Sequence, residues 1–449
     1  MNKSLGGGFV NKNAKHLVKA YRDGRLSRRE FMEAAGRLGL ALPLAEGLLG
    51  QARAQSASPN PSPFPQVPVV WPEVVVQLHA AGSAYIVDTR TDSLVATLPT
   101  GKGATLGSTT PDGKKVYVSN AGEGETEVVV IDLEAKRVAK RIATGNRPKH
   151  GLVSPDGRLV GVNHWGLDGG KLRHTFIRTQ DDTIVRVVDL EVSGTPRGVT
   201  SMHNAWSLDS RLFFAVDRVD NRLVVIDTQD WSVRTFAVPS APHYPVPSPD
   251  GRELWLVHEG NESVKPGVIV YDLTRPEMPV VARMELPLIG EDAVEAHHGN
   301  FSQDGRYFFV TNRGPGSKLA GREVAVFSAA EKRLVYRTTC ASTGVGHVYN
   351  SPDGRYAVVT NYGNNVLSIL DIEQMKVVKD LVIGSGRMGH VAFTPDGRYF
   401  YASNDKDGNL FKVDLWRMRV VKEIRTANAP GGGQVLNVWT NVFEELPRS

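Results

Sequence analysis

Histidine recurs at one fixed place in this chain, six residues before the aspartate of a repeated turn. The turn reads Ser/Thr-x-Asp-Gly-Lys/Arg and occurs seven times, with Ser replacing Gly in the third copy. Imidazoles gathered at one place are typical ligands of copper, zinc, iron or nickel. The turn aspartates are Asp112, Asp156, Asp209, Asp250, Asp304, Asp353 and Asp396, and six residues before them stand Leu106, His150, His203, Tyr244, His298, His347 and His390.

A second set of polar side chains follows each turn. If each hairpin pairs about the turn glycine without a bulge, the residue six before the aspartate faces the residue eight after it. This register predicts the pairs His150 with His164, His203 with Asp217, and Tyr244 with His258. In the remaining four copies the predicted partner is an asparagine: Asn120 opposite Leu106, Asn312 opposite His298, Asn361 opposite His347 and Asn404 opposite His390. The predicted metal ligands are therefore His150, His164, His203, Asp217, His258, His298, His347 and His390, with His243 and His297 beside them.

Other candidate groups carry less chemistry. His16, His79 and His174 lie outside the register, and we expect them to be structural. Cys340 is the only cysteine, which excludes an intrachain disulfide, and we expect a buried, inert thiol rather than a thiolate ligand. No Walker loop, nucleophile elbow or HExxH motif supports a nucleotide or hydrolase function. Four basic residues precede first strands, where they would bind an anionic substrate or cofactor carboxylates or else be solvated: Lys102, Arg147, Lys149 and Arg387.

The elements that must position these side chains repeat with the turn. Successive turn aspartates are separated by 44, 53, 41, 54, 49 and 43 residues, a period typical of β-propeller blades. The copy at Asp353 reads as four strands, HVYNS, RYAVVTN, NVLSILDI and KVVKDLVI. Residues 73–99 supply three further strands and GGQVLNVW supplies a fourth, so that joining them closes the ring. The sequence predicts an all-β, eight-bladed propeller of four-stranded antiparallel blades, with seven blades as the alternative.

The propeller also explains why the histidines should meet. The first strand of each blade lines the central channel, and the turn joins it to the second strand at one end. A residue six positions before the turn aspartate then lies at the opposite mouth, roughly 20 Å away at about 3.3 Å per residue. Histidines from several blades are expected to converge there.

The first 72 residues have a different character. Ser27–Met32 reads SRREFM, which matches the twin-arginine export motif, and a weakly apolar run (38–50) and an Ala-Arg-Ala site (52–54) follow it. The apolar run is too short for a membrane span. We expect a twin-arginine signal peptide at 1–54, a Pro-rich linker at 55–72 and the propeller at 73–449, with the mature protein in the periplasm.

The charge of the chain excludes a nucleic-acid footprint. Formal net charge is +5, but residues 1–54 hold 10 Lys+Arg against 4 Asp+Glu. The remainder carries 43 against 44, a net charge of −1. The basic balance therefore belongs to the predicted signal peptide, and no nucleic-acid partner is expected.

Three segments resemble the cytochrome d1 domain family of YVTN-type propellers, which includes haem d1 nitrite reductase and the haem d1 biosynthesis propeller. They begin at Ser201 (SMHNAWSLDSRLFFAVDRVDNRLVVIDTQDW), Ala241 (APHYPVPSPDGRELWLVHEG) and Gly386 (GRMGHVAFTPDGRYFYASNDKDGNLFKVDLW). The resemblance implies eight blades and haem d1, with His203 and His243 on the substrate side and His390 as the haem-iron ligand. The CxxCH motif of a haem c domain is absent, and Leu106 replaces a histidine of the biosynthesis protein.

The set of histidines is also similar to that of the copper propellers, nitrous oxide reductase and thiocyanate dehydrogenase. That resemblance implies a multinuclear copper centre at the channel mouth, although no cupredoxin CxxxC motif follows the propeller. A haem needs one or two axial ligands, whereas this chain supplies five to eight histidines, so copper is placed ahead of haem d1.

The sequence leaves three functions open. The first is a periplasmic oxidoreductase whose histidine-bound copper acts on a small inorganic nitrogen or sulfur substrate. The second is a haem d1 enzyme or carrier, and the third is a scaffold without a cofactor. The expected partners of the first are its small-molecule substrate, a periplasmic electron carrier and the twin-arginine export machinery, and a homodimer remains open.

Overall fold

A computed structural model describes residues 28–37, 73–196, 198–261, 263–286, 296–314 and 321–437. Helix α1 (Arg28–Arg37) contains the two arginines of the predicted export motif. Helix α1 and the strands belong to separate units, which divide between Ser62 and Pro63. Across these described ranges, no helix has the length and apolar character needed to cross a membrane.

The second unit is a ring of eight four-stranded antiparallel sheets, as the sequence predicted. The innermost strand of each blade contacts those of the two neighbouring blades, and the contacts run around the whole ring. Blade 1 consists of β1 (Val74–His79), β2 (Ser83–Asp88) and β3 (Ser93–Pro99) with β32 (Gly432–Leu436), and blade 2 of β4 (Ala104–Thr109), β5 (Lys115–Asn120), β6 (Glu127–Asp132) and β7 (Arg137–Ala143). Blade 3 consists of β8 (Pro148–Val153), β9 (Leu159–His164), β10 (Leu172–Arg178) and β11 (Thr183–Leu190). Blade 4 consists of β12 (Asn204–Trp206), β13 (Leu212–Asp217), β14 (Arg222–Asp227) and β15 (Val233–Ala237).

Blades 5 to 8 follow in chain order. They consist of β16 (Pro242–Pro247), β17 (Glu253–His258), β18 (Gly267–Asp272), β19 (Val280–Glu285); β20 (Ala296–Phe301), β21 (Tyr307–Asn312), β22 (Glu323–Ser328), β23 (Arg333–Thr339); β24 (Val345–Asn350), β25 (Tyr356–Asn361), β26 (Val366–Asp371), β27 (Lys376–Val382); and β28 (Met388–Phe393), β29 (Tyr399–Asn404), β30 (Leu410–Asp414), β31 (Arg419–Ile424).

Blade 1 closes the ring with strands from both ends of the propeller. Its order is β3-β2-β1-β32, so β32 lies innermost and pairs antiparallel with β1. The prediction that the first three strands and GGQVLNVW form one blade is confirmed. Closure of this kind leaves β1 without a free edge.

Burial explains the difference between inner and outer strands. In blade 7 every residue of β24 is buried, whereas Leu381 is the only buried residue of β27 and the others are exposed or half-buried. The buried side chains of adjacent blades pack together, as Tyr349 of blade 7 does with Phe393 of blade 8. The inner strands are therefore fixed by packing on both faces.

The repeated turn has the same geometry in each copy. In blade 3 the Ser154 hydroxyl donates to Asp156 Oδ1 at 2.6 Å, and that oxygen accepts the Arg158 N–H at 3.0 Å. Gly157 has φ 73°, a conformation that glycine adopts without a steric cost. The backbone N–H of Ser154 donates to the carbonyl of Leu159 at 2.8 Å, so four residues form the loop.

The predicted register across this turn was wrong by one residue. The hairpin closes about the Asp-Gly bond rather than about glycine, and a bulge follows near the histidine. His150 therefore faces Asn163, and His164 faces Pro148. A one-residue shift moves a side chain to the opposite face of its strand.

The same correction applies to the other blades. Tyr244 faces Val257, not His258. In blade 4 the pairing ends with Asn204 opposite Ala215, which leaves Asp217 beyond the His203 position. The asparagines also face other partners: Asn120 faces Ala104, Asn312 faces Ala296, Asn361 faces Val345 and Asn404 faces Met388.

Candidate metal centre

Five histidines that share the predicted register lie together inside the ring. Their imidazoles form a chain of ring contacts from blade 3 to blade 8. The centroids are separated by 6.0 Å for His150 and His203, 4.6 Å for His203 and His298, 3.8 Å for His298 and His347, and 4.5 Å for His347 and His390. His243 and His297 join this chain, 4.4 Å from each other, and His297 is 4.2 Å from His298. We call these seven side chains the histidine cluster.

The positions of the cluster histidines in their strands explain this convergence. His150, His298, His347 and His390 each occupy the third position of an innermost strand, and His203 directly precedes β12. Blade 5 has Tyr244 at the third position, with its ring 5.0 Å from His203 and from His298. The expected convergence is therefore observed, whereas the role of these residues as ligands stays a prediction.

Three cluster histidines approach one another closely enough to share an ion. One ligand nitrogen from each of His203, His243 and His298 lies within 4.8 Å of the other two. A second group of this kind consists of His243, Glu259 and His297. The Nε2 atoms of His203 and His298 are 2.9 Å apart, a hydrogen-bond distance at which one imidazole donates and the other accepts.

Burial keeps the cluster neutral. Its seven side chains are between 0 and 8 % exposed. Burial lowers the pKa of His150 and of His390 to about 3 and that of His243 to about 4. The same cause, reinforced by the neighbouring imidazoles, holds the pKa of His203, His297, His298 and His347 well below the usual range. Neutral imidazoles are the form that binds a metal, so no proton must first be removed at neutral pH.

A partly buried carboxylate contacts one edge of the cluster. Glu259 Oε1 lies 2.5 Å from His243 Nδ1, and Arg218 donates hydrogen bonds to both carboxylate oxygens at 2.9 and 2.8 Å. Burial alone would raise the pKa of Glu259, but its hydrogen bonds with His243 and Arg218 leave it well below the usual range. The carboxylate is therefore ionised and paired.

Two tyrosines bind histidines at another edge. The Tyr349 hydroxyl lies 2.7 Å from His390 Nδ1, and the Tyr362 hydroxyl lies 3.0 Å from His347 Nδ1. Burial raises the pKa of Tyr362 to about 12, so it remains a neutral phenol. Sequence reasoning did not identify either tyrosine.

One signal in the repeat does find most of the surrounding residues. The position nine after the turn aspartate, one beyond the predicted partner, places side chains around the cluster. Arg218, Glu259 and Tyr362 all occupy this position. The full set is Ala121, Trp165, Arg218, Glu259, Arg313, Tyr362 and Asp405.

Each of the four predicted anion-binding residues contacts a different partner. Lys149 is buried in β8 with its Nζ 4.2 Å from the centre of the Trp165 ring, and burial lowers its pKa to about 7. Arg387 pairs with Asp405 at 2.5 Å. Arg147 donates to the carbonyl of Ala121, and the Lys102 N–H donates to Glu125. Their role in binding an anion stays a prediction.

Three predicted ligands contact nearby strand and loop residues instead of cluster histidines. His164 contacts the carbonyl of Arg173 at 3.0 Å and the Thr144 hydroxyl at 3.3 Å. Asp217 accepts two backbone N–H groups and pairs with Arg222 at 2.6 Å. His258 contacts the carbonyl of Glu259 at 3.3 Å.

Within the described ranges, the residues expected to be structural contact nearby groups or are buried among apolar side chains. His79 contacts the carbonyl of Ala429 at 3.0 Å, and His174 packs with its ring centroid 6.1 Å from that of Phe213. Cys340 is buried, and burial raises the pKa of its thiol to about 12. His16 lies outside the described residues.

One small cavity borders the cluster, and a larger, open one lies on the other side of Tyr362. The smaller has a volume of about 10 Å³ and is lined by Tyr244, His298 and His347, among others. The larger, of about 530 Å³, is lined by Tyr362, Arg387, Asp405, Lys406 and neighbouring loop residues. Tyr362 separates the larger cavity from His347, because it lines that cavity and hydrogen-bonds to the histidine.

A protein-family comparison matches the fold to a known group. The model of the seven-bladed β-propeller lactonase family matches residues 108–436. The chain belongs to this family. Its match begins inside β4, so it includes the seven blades formed by β4–β31 together with β32, and it leaves out β1–β3. Those three strands are what give this member of the lactonase propeller family an eighth blade.

Solved structures share the architecture at low identity. The chain is 18 % identical to dihydro-haem d1 dehydrogenase NirN in complex with DHE, with a TM-score of 0.65 over 93 % of this chain and 92 % of that one. It is 19 % identical to hydrazine synthase of Kuenenia stuttgartiensis, with a TM-score of 0.51 over 73 % of this chain and 96 % of that one. No curated protein matches the sequence. Identities this low establish a propeller similar to that of NirN and leave the chemistry to the site.

Proposed function

We propose that this propeller is a metal-dependent oxidoreductase whose histidine cluster holds copper and acts on a small inorganic nitrogen or sulfur substrate. The observation that carries the proposal is the group formed by His203, His243 and His298. Three buried imidazoles from different blades present nitrogens within 4.8 Å of one another. Imidazole-rich sites with few thiolates suit copper, and Cys340 remains protonated in the apolar core.

The cluster fits an ion better than a macrocycle. Neighbouring rings lie 3.8 to 4.6 Å apart along most of the chain of contacts, and the cavity beside His298 and His347 has a volume of only about 10 Å³. A cofactor of haem size needs a pocket of at least about 300 Å³. Copper would supply one-electron chemistry here. The protein's own part is to hold neutral imidazoles in place and to exclude bulk water.

A haem d1 protein is the second candidate. It is favoured by the cavity of about 530 Å³ at Tyr362, where Arg387 and Lys406 could bind carboxylates. The similar structure is that of NirN in complex with DHE. The second candidate function assumes that this chain binds a ligand of the same kind. In that case His203, His243 and His390 would be the residues that matter most, and the cofactor would lie in the cavity rather than among the imidazoles.

One experiment separates these functions. The exported protein should contain copper by elemental analysis, and its absorption spectrum should lack the strong visible band of a d-type haem. Replacing His203, His298, His347 or His390 by Ala should lower bound copper at least about tenfold while the blades stay folded, because each substitution weakens the ligand sphere. His174→Ala is the matched control outside the cluster. Full copper content in all four variants would overturn the copper proposal and favour a scaffold, and a haem spectrum would favour the second candidate.

We also propose that the protein is exported folded to the periplasm, where a soluble electron carrier would accept its electrons. The proposal is supported by the SRREFM motif, whose two arginines are Arg28 and Arg29. Changing both to Lys should leave a folded propeller in the cytoplasm, and wild-type mature protein should begin near Gln55. Cell fractionation and N-terminal sequencing measure these outcomes. Undiminished periplasmic protein in the double variant would contradict the export proposal.

A further inference from the structure

The two candidate ligand groups of the cluster overlap at His243. One group combines His243 with His203 and His298, and the other combines it with Glu259 and His297. Each imidazole has two nitrogens, and only a deprotonated nitrogen binds a metal. Which group holds an ion therefore depends on whether Glu259 is itself a ligand or instead accepts a hydrogen bond from His243.

The contacts of Glu259 answer that question. Its Oε1 lies 2.5 Å from His243 Nδ1, and both of its oxygens accept hydrogen bonds from Arg218. An ionised carboxylate has no proton to donate, so Nδ1 must be the protonated nitrogen. The other nitrogen, Nε2, is buried and has no hydrogen-bond partner in the part of the chain that the structure describes.

Strands of two adjacent blades hold Glu259, Arg218 and His243, which makes their arrangement rigid. Glu259 follows β17 and Arg218 follows β13, each nine residues after its turn aspartate, so the ion pair joins blades 4 and 5. His243 lies in β16 and is fully buried. A carboxylate that orients an imidazole through its second nitrogen is a recurring partner of metal-binding histidines, and its loss typically weakens metal binding by about ten- to hundredfold.

We infer that Glu259, held by Arg218, is a positioning residue that fixes the Nδ1–H tautomer of His243, and that the metal is bound by His203, His243 and His298. Glu259 is accordingly not a ligand, and His297 lies beside the metal without being required for it. The choice of ligand group rests on the proposed metal function, whereas the tautomer is a property of the metal-free protein.

The first test measures the tautomer without metal. Long-range ¹H–¹⁵N spectra of histidine-labelled protein distinguish Nδ1–H from Nε2–H, and the signals of His243 are those lost in His243→Gln. Wild-type protein should show the Nδ1–H form. The double variant Arg218→Leu/Glu259→Leu replaces the partly buried ion pair by apolar side chains, which proteins often tolerate, and it should show a mixture or the Nε2–H form.

The second test measures copper(II) affinity by competition with a chelator of known affinity. The double variant should bind about ten- to hundredfold more weakly than wild type. Glu259→Gln should stay much closer to wild type, because the amide oxygen still accepts from Nδ1. Glu253→Gln is the matched control, since Glu253 begins the same strand and bonds to Trp255 and Lys332 instead.

The outcomes separate the two roles of Glu259. If it is a ligand, Glu259→Gln should lose as much affinity as the double variant, and His297→Gln should lose as much as His298→Gln. Either result would overturn the inference. An unchanged Nδ1–H tautomer in the double variant would also overturn it. If wild-type protein showed the expected tautomer change but bound no copper, the positioning role would stand and the proposed function would fail.

Discussion

Histidines in this chain perform two different tasks, and residue type alone does not separate them. Both ring nitrogens of His79 and of His164 contact nearby polar groups of their own or adjacent loops. The cluster histidines instead contact one another and the side chains of Glu259, Tyr349 and Tyr362. The sequence distinguished them only through their distance from the turn, and all five histidines six residues before a turn aspartate entered the cluster.

His174 offers a prediction at the scale of one residue. It is fully buried, and neither of its ring nitrogens has a hydrogen-bond partner among the described residues. Burial lowers its pKa from 6.5 to about 3. Above pH 6.5 the folded and unfolded forms are both neutral. As the pH falls from 6.5 toward 3, the unfolded chain binds the proton first, so the wild-type protein loses stability.

His174→Leu should remove this acid sensitivity. We expect the difference in free energy of unfolding between the variant and wild type to be about 2 kcal/mol larger, in favour of the variant, at pH 5 than at pH 8. The reason is that each pKa unit corresponds to about 1.36 kcal/mol. Urea unfolding at the two pH values measures the difference. His79→Leu is the control and should be destabilising, because it deprives the Ala429 carbonyl and the Ala81 N–H of their partner. An equal gain for His174→Leu at both pH values would contradict the assigned titration.

At the scale of the strand, repetition was readable and register was not. The turn motif, the four strands per blade and the closing blade were all predicted, because each depends on local pattern. The facing residues depend on where the hairpin closes and on a bulge beyond it, neither of which changes the alternation of residue types. The residues opposite His150, His298 and His347 are therefore Asn163, Thr311 and Thr360. Each lies one position earlier in its strand than the predicted partner.

This corrected register assigns a structural role to Thr311. Its Oγ1 accepts the His298 N–H at 3.1 Å and donates to the carbonyl of Gly346 in the next blade at 2.7 Å. Thr311→Val keeps the shape but leaves two buried backbone groups unpaired. We expect a loss of about 1 to 3 kcal/mol in the free energy of unfolding, measured by urea denaturation. Thr235→Val on the exposed face of β15 should change it little. Equal effects of the two substitutions would contradict this role.

At the scale of the whole molecule, the ring is held by contacts between blades that lie far apart in sequence. Two junctions between blades share one set of contacts, which we call a clasp. In each, a Tyr and a Lys from the strands of one blade bind an Asp in an outer turn of the next blade. Asp92 binds Tyr401 at 2.7 Å and Lys412 at 2.8 Å, across the closure between blades 8 and 1. The equivalent clasp between blades 2 and 3 is formed by Tyr117, Lys115 and Asp182. The sequence analysis did not predict these contacts, because they join side chains of different blades, although Tyr117 and Tyr401 both lie five residues after a turn aspartate.

The closing clasp should matter more than the internal one. Blade 1 joins its first three strands to β32 by non-covalent contacts, the backbone pairing and the shared core, whereas blades 2 and 3 are each formed from one continuous segment of the chain. Asp92 and Asp182 both have φ near 50°, which asparagine tolerates, so Asn substitutions test charge rather than backbone strain. For these partly buried pairs we expect Asp92→Asn to lower the free energy of unfolding by about 2 kcal/mol, between the values of exposed and buried ion pairs, and Asp182→Asn to cost less. Urea unfolding of both variants measures the difference. A cost for Asp182→Asn equal to or above that for Asp92→Asn would mean that the closing junction is no weaker than the junction between blades 2 and 3.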